Sequence, residues 1–323
     1  MSGPAKPASL AGSTFGHDVA RDLALSPKQL QSKYLYDGLG IRLFESICQM
    51  PWYSITRAEL SLLSRHALEI SQEMAGPLIL TELGPGDGEK TALLAAAFVR
   101  GRRRLATHLI DISQTALEQT EHRLGQYEGI SVVGHRATYE EGLRRVAAAR
   151  DGNGRLLVQF LGSNLGNFDT EAARTFLASI RAALRPEDAL LLGADLVKPE
   201  ADLLLAYDDP LGVTAAFNKN LLVRINRELG GNFDLAAFDH RALFNPEESR
   251  VEMHLVSRRR QDVAIPGAEC EVRFEEGETI WTESSYKYSS EKLCEMVEEA
   301  GFSLERRYLE SQARFTLDLY FAS

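Results

Sequence analysis

Between residues 77 and 196 the chain alternates short, almost wholly apolar runs with longer segments whose apolar residues recur at helical spacing. The apolar runs are LILTEL (78–83), RLATHLID (104–111), ISVVGH (130–135), RLLVQFLG (155–162) and ALLLGADL (189–196), each of strand length. Helical spacing fills 90–99, 113–125, 138–149 and 170–184. This alternation predicts an α/β fold, a parallel sheet with helices on both faces. The near-continuous apolarity of the runs is what strands buried on both faces need.

The pattern breaks after residue 196. PEADLLLAY and GVTAAFNKNLLVRINREL read as helices, and SRVEMHLVSRRRQDVAI (249–265) alternates about an arginine-rich turn, as a hairpin would. Helical spacing returns in SSEKLCEMVEEAGF, with Ser289 or Ser290 as N-cap and Gly301 as the stop. Two closing strands follow, FSLERRYLE and RFTLDLYFA, and complete a seven-strand nucleotide-binding sheet. Residues 197–287 therefore read as an insertion that caps the sheet, and residues 1–18, rich in Ala, Gly, Pro and Ser, as a flexible tail.

Composition narrows the function. Net charge is −10, which argues against a nucleic-acid surface. The basic runs Arg102–Arg104 and Arg258–Arg260 fall between predicted elements and read as solvated turns, and the remaining lysines and acids as solubility. Cys48, Cys270 and Cys294 are too few and too scattered for a disulfide framework or a zinc site, and the seven histidines show no metal spacing. No metal, no membrane span and no targeting peptide are expected, which makes a cytoplasmic monomer acting on a small molecule the default.

The chemistry centres on TELGPGDGEKT (81–91), a glycine turn between the first strand and its helix. That turn is where backbone N–H groups approach the ligand of an open α/β sheet. A dinucleotide fingerprint needs a third glycine where Glu89 stands, and a carboxylate there would repel a pyrophosphate. The spacing to Lys90 and Thr91 is wrong for a P-loop. Gly84, Gly86 and Gly88 suit S-adenosylmethionine better, since it carries a sulfonium and an amine but no phosphate. Asp111 ends the second strand, where a carboxylate can accept both ribose hydroxyls; an NAD enzyme would place an acid there too. A glycine turn serving only tight packing is the ligand-free alternative.

Seven stretches then carry a resemblance in one collinear order over residues 20–323. They are KYLYDGLGIRLFESICQMPWYSITRAEL, ELGPGDGEKT, FLGSNLGNF, LLLGADLVK, LLAYDDPLGVTAAFNKNLLVRINRELGGNFDLAAF, RVEMHLV and WTESSYKY. The chain resembles the histidine-specific N-alpha-methyltransferases of ergothioneine biosynthesis, some relatives of which methylate other amino acids such as tryptophan. The resemblance implies transfer of three methyl groups from S-adenosylmethionine to the α-amine of histidine, giving the betaine hercynine. It implies a Rossmann-type methyltransferase domain (61–196 and 288–323) with a substrate-binding α+β domain formed by 19–60 and 197–287.

By motif position, Gly84, Gly86, Lys90 and Asp111 match cofactor-binding residues, with Thr138 and Tyr139 at the adenine. Tyr36, Asn167 and Tyr207 match residues around the amino acid's backbone end, and Tyr36 is the catalytic candidate, placing the amine or a proton-carrying water. Met253, Glu283 and Ser285 match the side-chain pocket. Two positions depart from the family. Ser54 in PWYSITR stands where a second substrate-contacting tyrosine is usual, with Tyr53 at the first, and Thr138 replaces an aspartate.

The residue chemistry fits this reading. Glu283 and Ser285 are two apart in a predicted strand and share a face, so one can accept an imidazole N–H and the other serve the second ring nitrogen. A solvated strand gives the same alternation. Asn167 and Tyr207 can donate to a carboxylate, although asparagine also forms turns and tyrosine also packs. Met253 on pattern alone is core, and His254 beside it points to the opposite face. Three transfers remove every N–H from the amine, so the substrate must be gripped by its carboxylate and side chain. The alternatives are an N-methyltransferase of tryptophan or another amino acid, an inactive cofactor-binding partner subunit, and an NAD oxidoreductase.

Overall fold

A computed structural model of the chain describes residues 14–323 apart from 75, 102, 103, 151 and 153. Arg102 and Arg103 of the first basic run, and residues 1–13 of the expected tail, lie outside the described residues. Residues 14–18 are not tail, because a helix already starts at Thr14.

In chain order the elements are α1 (Thr14–Leu23), β1 (Lys28–Gln29), α2 (Gly38–Cys48), α3 (Ser54–Glu73), β2 (Leu78–Leu83), α4 (Glu89–Gly101), β3 (Leu105–Asp111), α5 (Gln114–Leu124), β4 (Ile130–Arg136), α6 (Tyr139–Ala149), β5 (Arg155–Phe160), α7 (Thr170–Ala183) and β6 (Ala189–Asp195). Then come α8 (Glu200–Tyr207), α9 (Val213–Leu229), β7 (Phe238–Asn245), β8 (Arg250–Ser257), β9 (Gln261–Ile265), β10 (Cys270–Phe274), β11 (Thr279–Tyr286), α10 (Ser290–Glu299), β12 (Phe302–Glu310) and β13 (Phe315–Ala322).

The chain divides into two compact units. One holds Ser54–Pro199, Glu248–Arg250 and Ser285–Ser323. The other holds the described residues up to Tyr53 with Glu200–Glu247 and Val251–Ser284. The first contains the seven-strand sheet, in the order β12-β13-β6-β5-β2-β3-β4. Strands β2 to β6 run parallel, and β13 lies antiparallel to both β6 and β12. The chain moves outward from β2 to β4, then returns to β5 on the other side of β2, which puts the topological switch point at the carboxyl end of β2. The central strands β5 and β6 are buried nearly throughout, whereas the edge strand β4 alternates and leaves Val133 48% exposed. Where the insertion leaves and re-enters, Leu196 bridges Tyr288, and the Val197 N–H donates to the Tyr288 carbonyl at 2.9 Å.

Helix α3 belongs to the sheet unit from its first residue, so the division falls at Ser54 rather than at the expected residue 61. In the other unit, Asp37 explains why an N-terminal segment joins the insertion. Its carboxylate caps α2 through the Gly40 N–H (2.8 Å) and accepts from Asn220 (2.7 Å) and Arg227 (2.6 Å) on α9. The expected hairpin at 249–265 does not form. Strand β8 sits inside a four-strand sheet ordered β1-β11-β8-β7, while β9 pairs with β10. Alternation satisfies either pairing and does not identify a neighbour; the unbroken burial of β8 from Met253 to Ser257 shows that both faces of this strand are covered. The turn between them is solvated as expected, with Arg259 bonded to Asp234 at 2.9 Å.

At the amino end of the sheet, Asp188 binds Arg150 through both oxygens (2.7 and 2.9 Å) and accepts the Leu156 and Arg185 N–H groups. Both side chains are at most 3% exposed. Asp188→Ala leaves a buried guanidinium without its partner and should cost about 3–5 kcal/mol, read as a lowered urea midpoint.

Candidate active site

The cofactor-site candidates meet at the carboxyl ends of the parallel strands. Gly84, Gly86 and Gly88 all have positive φ (74°, 59° and 75°), a backbone open to glycine and strained for other residues. A Cβ at Gly84 would lie 2.7 Å from the Tyr139 hydroxyl and one at Gly88 2.6 Å from Thr120, so both glycines serve close packing. At Gly86 nothing stands within 4 Å of that position. The Thr120 hydroxyl holds the loop from α5 by donating to the Gly86 carbonyl at 3.1 Å.

Asp111 ends β3 half-buried, its carboxylate accepting the Ser113 N–H at 2.7 Å. Burial pushes its pKa up, against the pull of the Ser113 and Ile112 N–H groups. Tyr139 stacks edge-on against Phe160 (5.7 Å), and burial raises its phenol. Thr138 caps α6, its hydroxyl accepting the Glu141 N–H at 3.3 Å; the same oxygen retains a second lone pair.

Lys90 donates to Glu59 at 2.7 Å. Glu59 lies on α3, fully buried, and also accepts the Gly162 N–H with both oxygens (3.0 and 2.8 Å). No local pattern in the sequence marks Glu59, since 31 residues separate it from Lys90. Glu82, one residue before the end of β2, is 1% exposed, and its Oε2 has no hydrogen-bond partner among the described residues. Burial lifts its pKa well above the usual carboxylate range, Lys90 opposes this, and Glu59, Asp87 and Asp111 add to it.

The substrate-site candidates divide between the units. In the sheet unit, Ser54 is the first residue of α3 and Asn167 is exposed at the end of a 3-10 turn after β5. Backbone packing places this turn beside Ser285: a Cβ at Gly166 would lie 2.7 Å from the Tyr286 carbonyl and 3.6 Å from the Ser285 hydroxyl. In the other unit, Tyr36 and Tyr207 belong to one aromatic cluster. Tyr36 meets Phe44 and Phe217 edge-on (5.5 Å each), and Tyr207 meets Tyr53, which meets Phe44 (6.3 Å each). Tyr53 is thus a third phenol of the cluster, brought there by contacts with segments distant in sequence.

Tyr207 is held through its backbone. His240 donates from Nε2 to the Tyr207 carbonyl (2.8 Å) and accepts from Asn218 at Nδ1 (3.0 Å). Burial lowers the His240 pKa, in keeping with that neutral tautomer. Met253 is 2% exposed, and its carbonyl accepts from Thr282 (2.8 Å). His254 stacks on Trp281 (6.1 Å), whose indole N–H donates to the Glu283 carbonyl (3.0 Å); the Glu283 side chain is half-buried.

An orphaned buried carboxylate oxygen on Glu82, an open face at Gly86 and a carboxylate at the end of β3 together fit a ligand with an amine, a ribose and no phosphate. Because the folded state raises the pKa of Glu82, its neutral form favours folding below the ordinary carboxylate pKa, and that contribution is lost as pH rises through the folded value. Glu82→Gln removes this dependence. The melting temperature of the variant relative to wild type should therefore climb from pH 4.5 to pH 8, with about 4.5 as the starting carboxylate pKa. Parallel curves would mean that Glu82 is not the titrating group.

A family model described as histidine-specific, SAM-dependent methyltransferase matches residues 15–322. The chain is 38% identical to a histidine N-alpha-methyltransferase of Mycolicibacterium smegmatis, over 96% of this chain and 95% of that protein. It is 37% identical to the histidine N-alpha-methyltransferase of Mycobacterium tuberculosis, over 95% and 96%. An L-tryptophan methyltransferase of Psilocybe serbica is 26% identical, over 90% and 87%. With the family model spanning nearly the whole chain and a relative 38% identical from end to end, this chain belongs to the S-adenosylmethionine-dependent, histidine-specific methyltransferase family.

Proposed function

We propose that the chain transfers three methyl groups from S-adenosylmethionine to the α-amine of L-histidine, forming hercynine, the first step of ergothioneine biosynthesis. The observation that carries this reading is the 38% identity, over nearly the whole of both chains, to a histidine N-alpha-methyltransferase. The same reading expects a cytoplasmic monomer acting on the free amino acid.

S-adenosylmethionine, when bound, supplies a methyl group activated by its sulfonium. The residues of this chain have the remaining work. Gly84 and Gly86 let backbone approach the cofactor, Asp111 accepts from its ribose, Lys90 meets its carboxylate, and Thr138 and Tyr139 border its adenine. By motif position Tyr36, Tyr207 and Asn167 are the candidates for the amino acid's backbone end, and Tyr53 shares the aromatic cluster of Tyr36 and Tyr207. Tyr53, in contact with Tyr207, supplies a phenol where Ser54 lacks one. Orientation of a neutral amine toward the methyl group supplies much of the rate. Glu283 accepts an imidazole N–H, Ser285 serves the other ring nitrogen, and Met253 adds apolar contact. A tryptophan substrate is the second reading, favoured by Ser54 and by the distant tryptophan relative.

Incubation with S-adenosylmethionine and each amino acid, read by mass for three added methyl groups, separates the two. Histidine should be converted and tryptophan not; the reverse sinks the proposal. Glu283→Ala should lower kcat/KM for histidine by about 2–4 kcal/mol, the loss of a charge-assisted partner in a desolvated pocket, and should spare tryptophan. Asp111→Ala should weaken cofactor binding by about 1.5–3 kcal/mol in calorimetry. Nα,Nα-dimethylhistidine should bind at least as tightly as histidine and still be methylated, because the grip does not use amine N–H groups.

A further inference from the structure

Lys287 is a lysine that the chain hides completely: its side chain is 0% exposed. Its backbone is pinned on both sides by Ser249, through an N–H donated to the Ser249 carbonyl at 2.7 Å and a carbonyl that accepts the Ser249 hydroxyl at 2.9 Å. The ammonium donates to the Ser285 hydroxyl at 2.8 Å and lies 3.1 Å from Asp195 Oδ2. Asp195 is itself buried, with Lys198 on its other oxygen at 2.5 Å and its N–H donating to the Ser163 hydroxyl at 3.0 Å. These residues all belong to the sheet unit. Burying an ammonium is costly, and one carboxylate shared by two lysines offsets only part of that cost.

We propose that Lys287, held by Asp195, is a positioning residue that makes Ser285 a hydrogen-bond donor and thereby sets specificity for an imidazole; this rests on the histidine reading above. An ammonium has three N–H groups and no lone pair, so the Ser285 oxygen must accept from it. The single proton of that hydroxyl is then directed away from Lys287. A donor at Ser285 together with an acceptor at Glu283 matches a neutral imidazole, which offers one bare nitrogen and one N–H. An indole offers an N–H alone and leaves the Ser285 donor facing carbon. Sites with a committed buried polar group reject substrates that cannot pair it far more strongly than apolar pockets reject a difference in size. Without Lys287 the hydroxyl is able to rotate, and the distinction weakens.

The test is a double-mutant cycle of Lys287→Met and Ser285→Ala in the full chain, with KM and kcat for histidine and the Kd of S-adenosylmethionine as readouts. Each single variant should raise KM for histidine about tenfold, with a smaller change in kcat and none in cofactor Kd. The double variant should be no worse than about twofold beyond the stronger single one, since both act on the same hydrogen bond. Effects that multiply, or a Lys287→Met loss that falls equally on cofactor binding, overturn the role of Lys287. Lys287→Gln keeps an N–H donor and covers the case in which the methionine variant does not fold. A KM within about threefold of wild type supports the proposal, and a loss as large as that of Ser285→Ala overturns it. If wild type fails to methylate histidine, both readings fall; turnover with multiplying variants removes only the second.

Discussion

The carboxylate of Glu59 lies fully buried under the ends of the parallel strands, with both oxygens on the Gly162 N–H and one on Lys90. A carboxylate in that setting is tolerated only when its acceptors are filled, so its partners cannot drift. The consequence spreads in three directions. Helix α3, which carries Glu59, is drawn into the sheet unit. The turn after β5 is anchored at Gly162, five residues before Asn167. Strand β6 must carry glycine at Gly193, because a Cβ there would fall 1.8 Å from a Glu59 oxygen. The glycine in LLLGADL is thus explained by an acid far away in sequence.

Charge is concentrated at this end of the sheet and kept from water. Glu59 and Glu82 are both buried, Asp111 is half-buried, and Lys90 is the cation that opposes the rise in the Glu82 pKa. Low dielectric makes each of these interactions stronger than at the surface and makes any unpaired member expensive. A ligand bearing an amine and a carboxylate complements that arrangement. The second buried group, Asp195 with Lys198 and Lys287, uses the same physics beside Ser285. In the other unit, Asp209 sits just after Tyr207. Burial would raise its pKa, yet the N–H groups of Thr214, Val213 and Leu211 hold it low, and it fixes the turn from α8 into α9.

Local periodicity and turn chemistry determined much of this protein. Strands 78–83, 105–111, 130–136, 155–160 and 189–195, their helices, and the closing helix with its Ser289 cap are legible because each pattern is complete within a few residues. The glycine turn and Asp111 are legible for the same reason, and motif order carried the family. Tertiary structure decided what no local pattern encodes. Strand β8 took β7 and β11 as partners instead of β9, since alternation does not identify a neighbour. Tyr53 entered the cluster with Tyr207 through contacts between segments distant in sequence. Glu59 and Lys287 look like any solubilising charge in the sequence, and only burial against a specific opposite partner separates them from it, because the energy of a charge depends on its surroundings and not on its residue type.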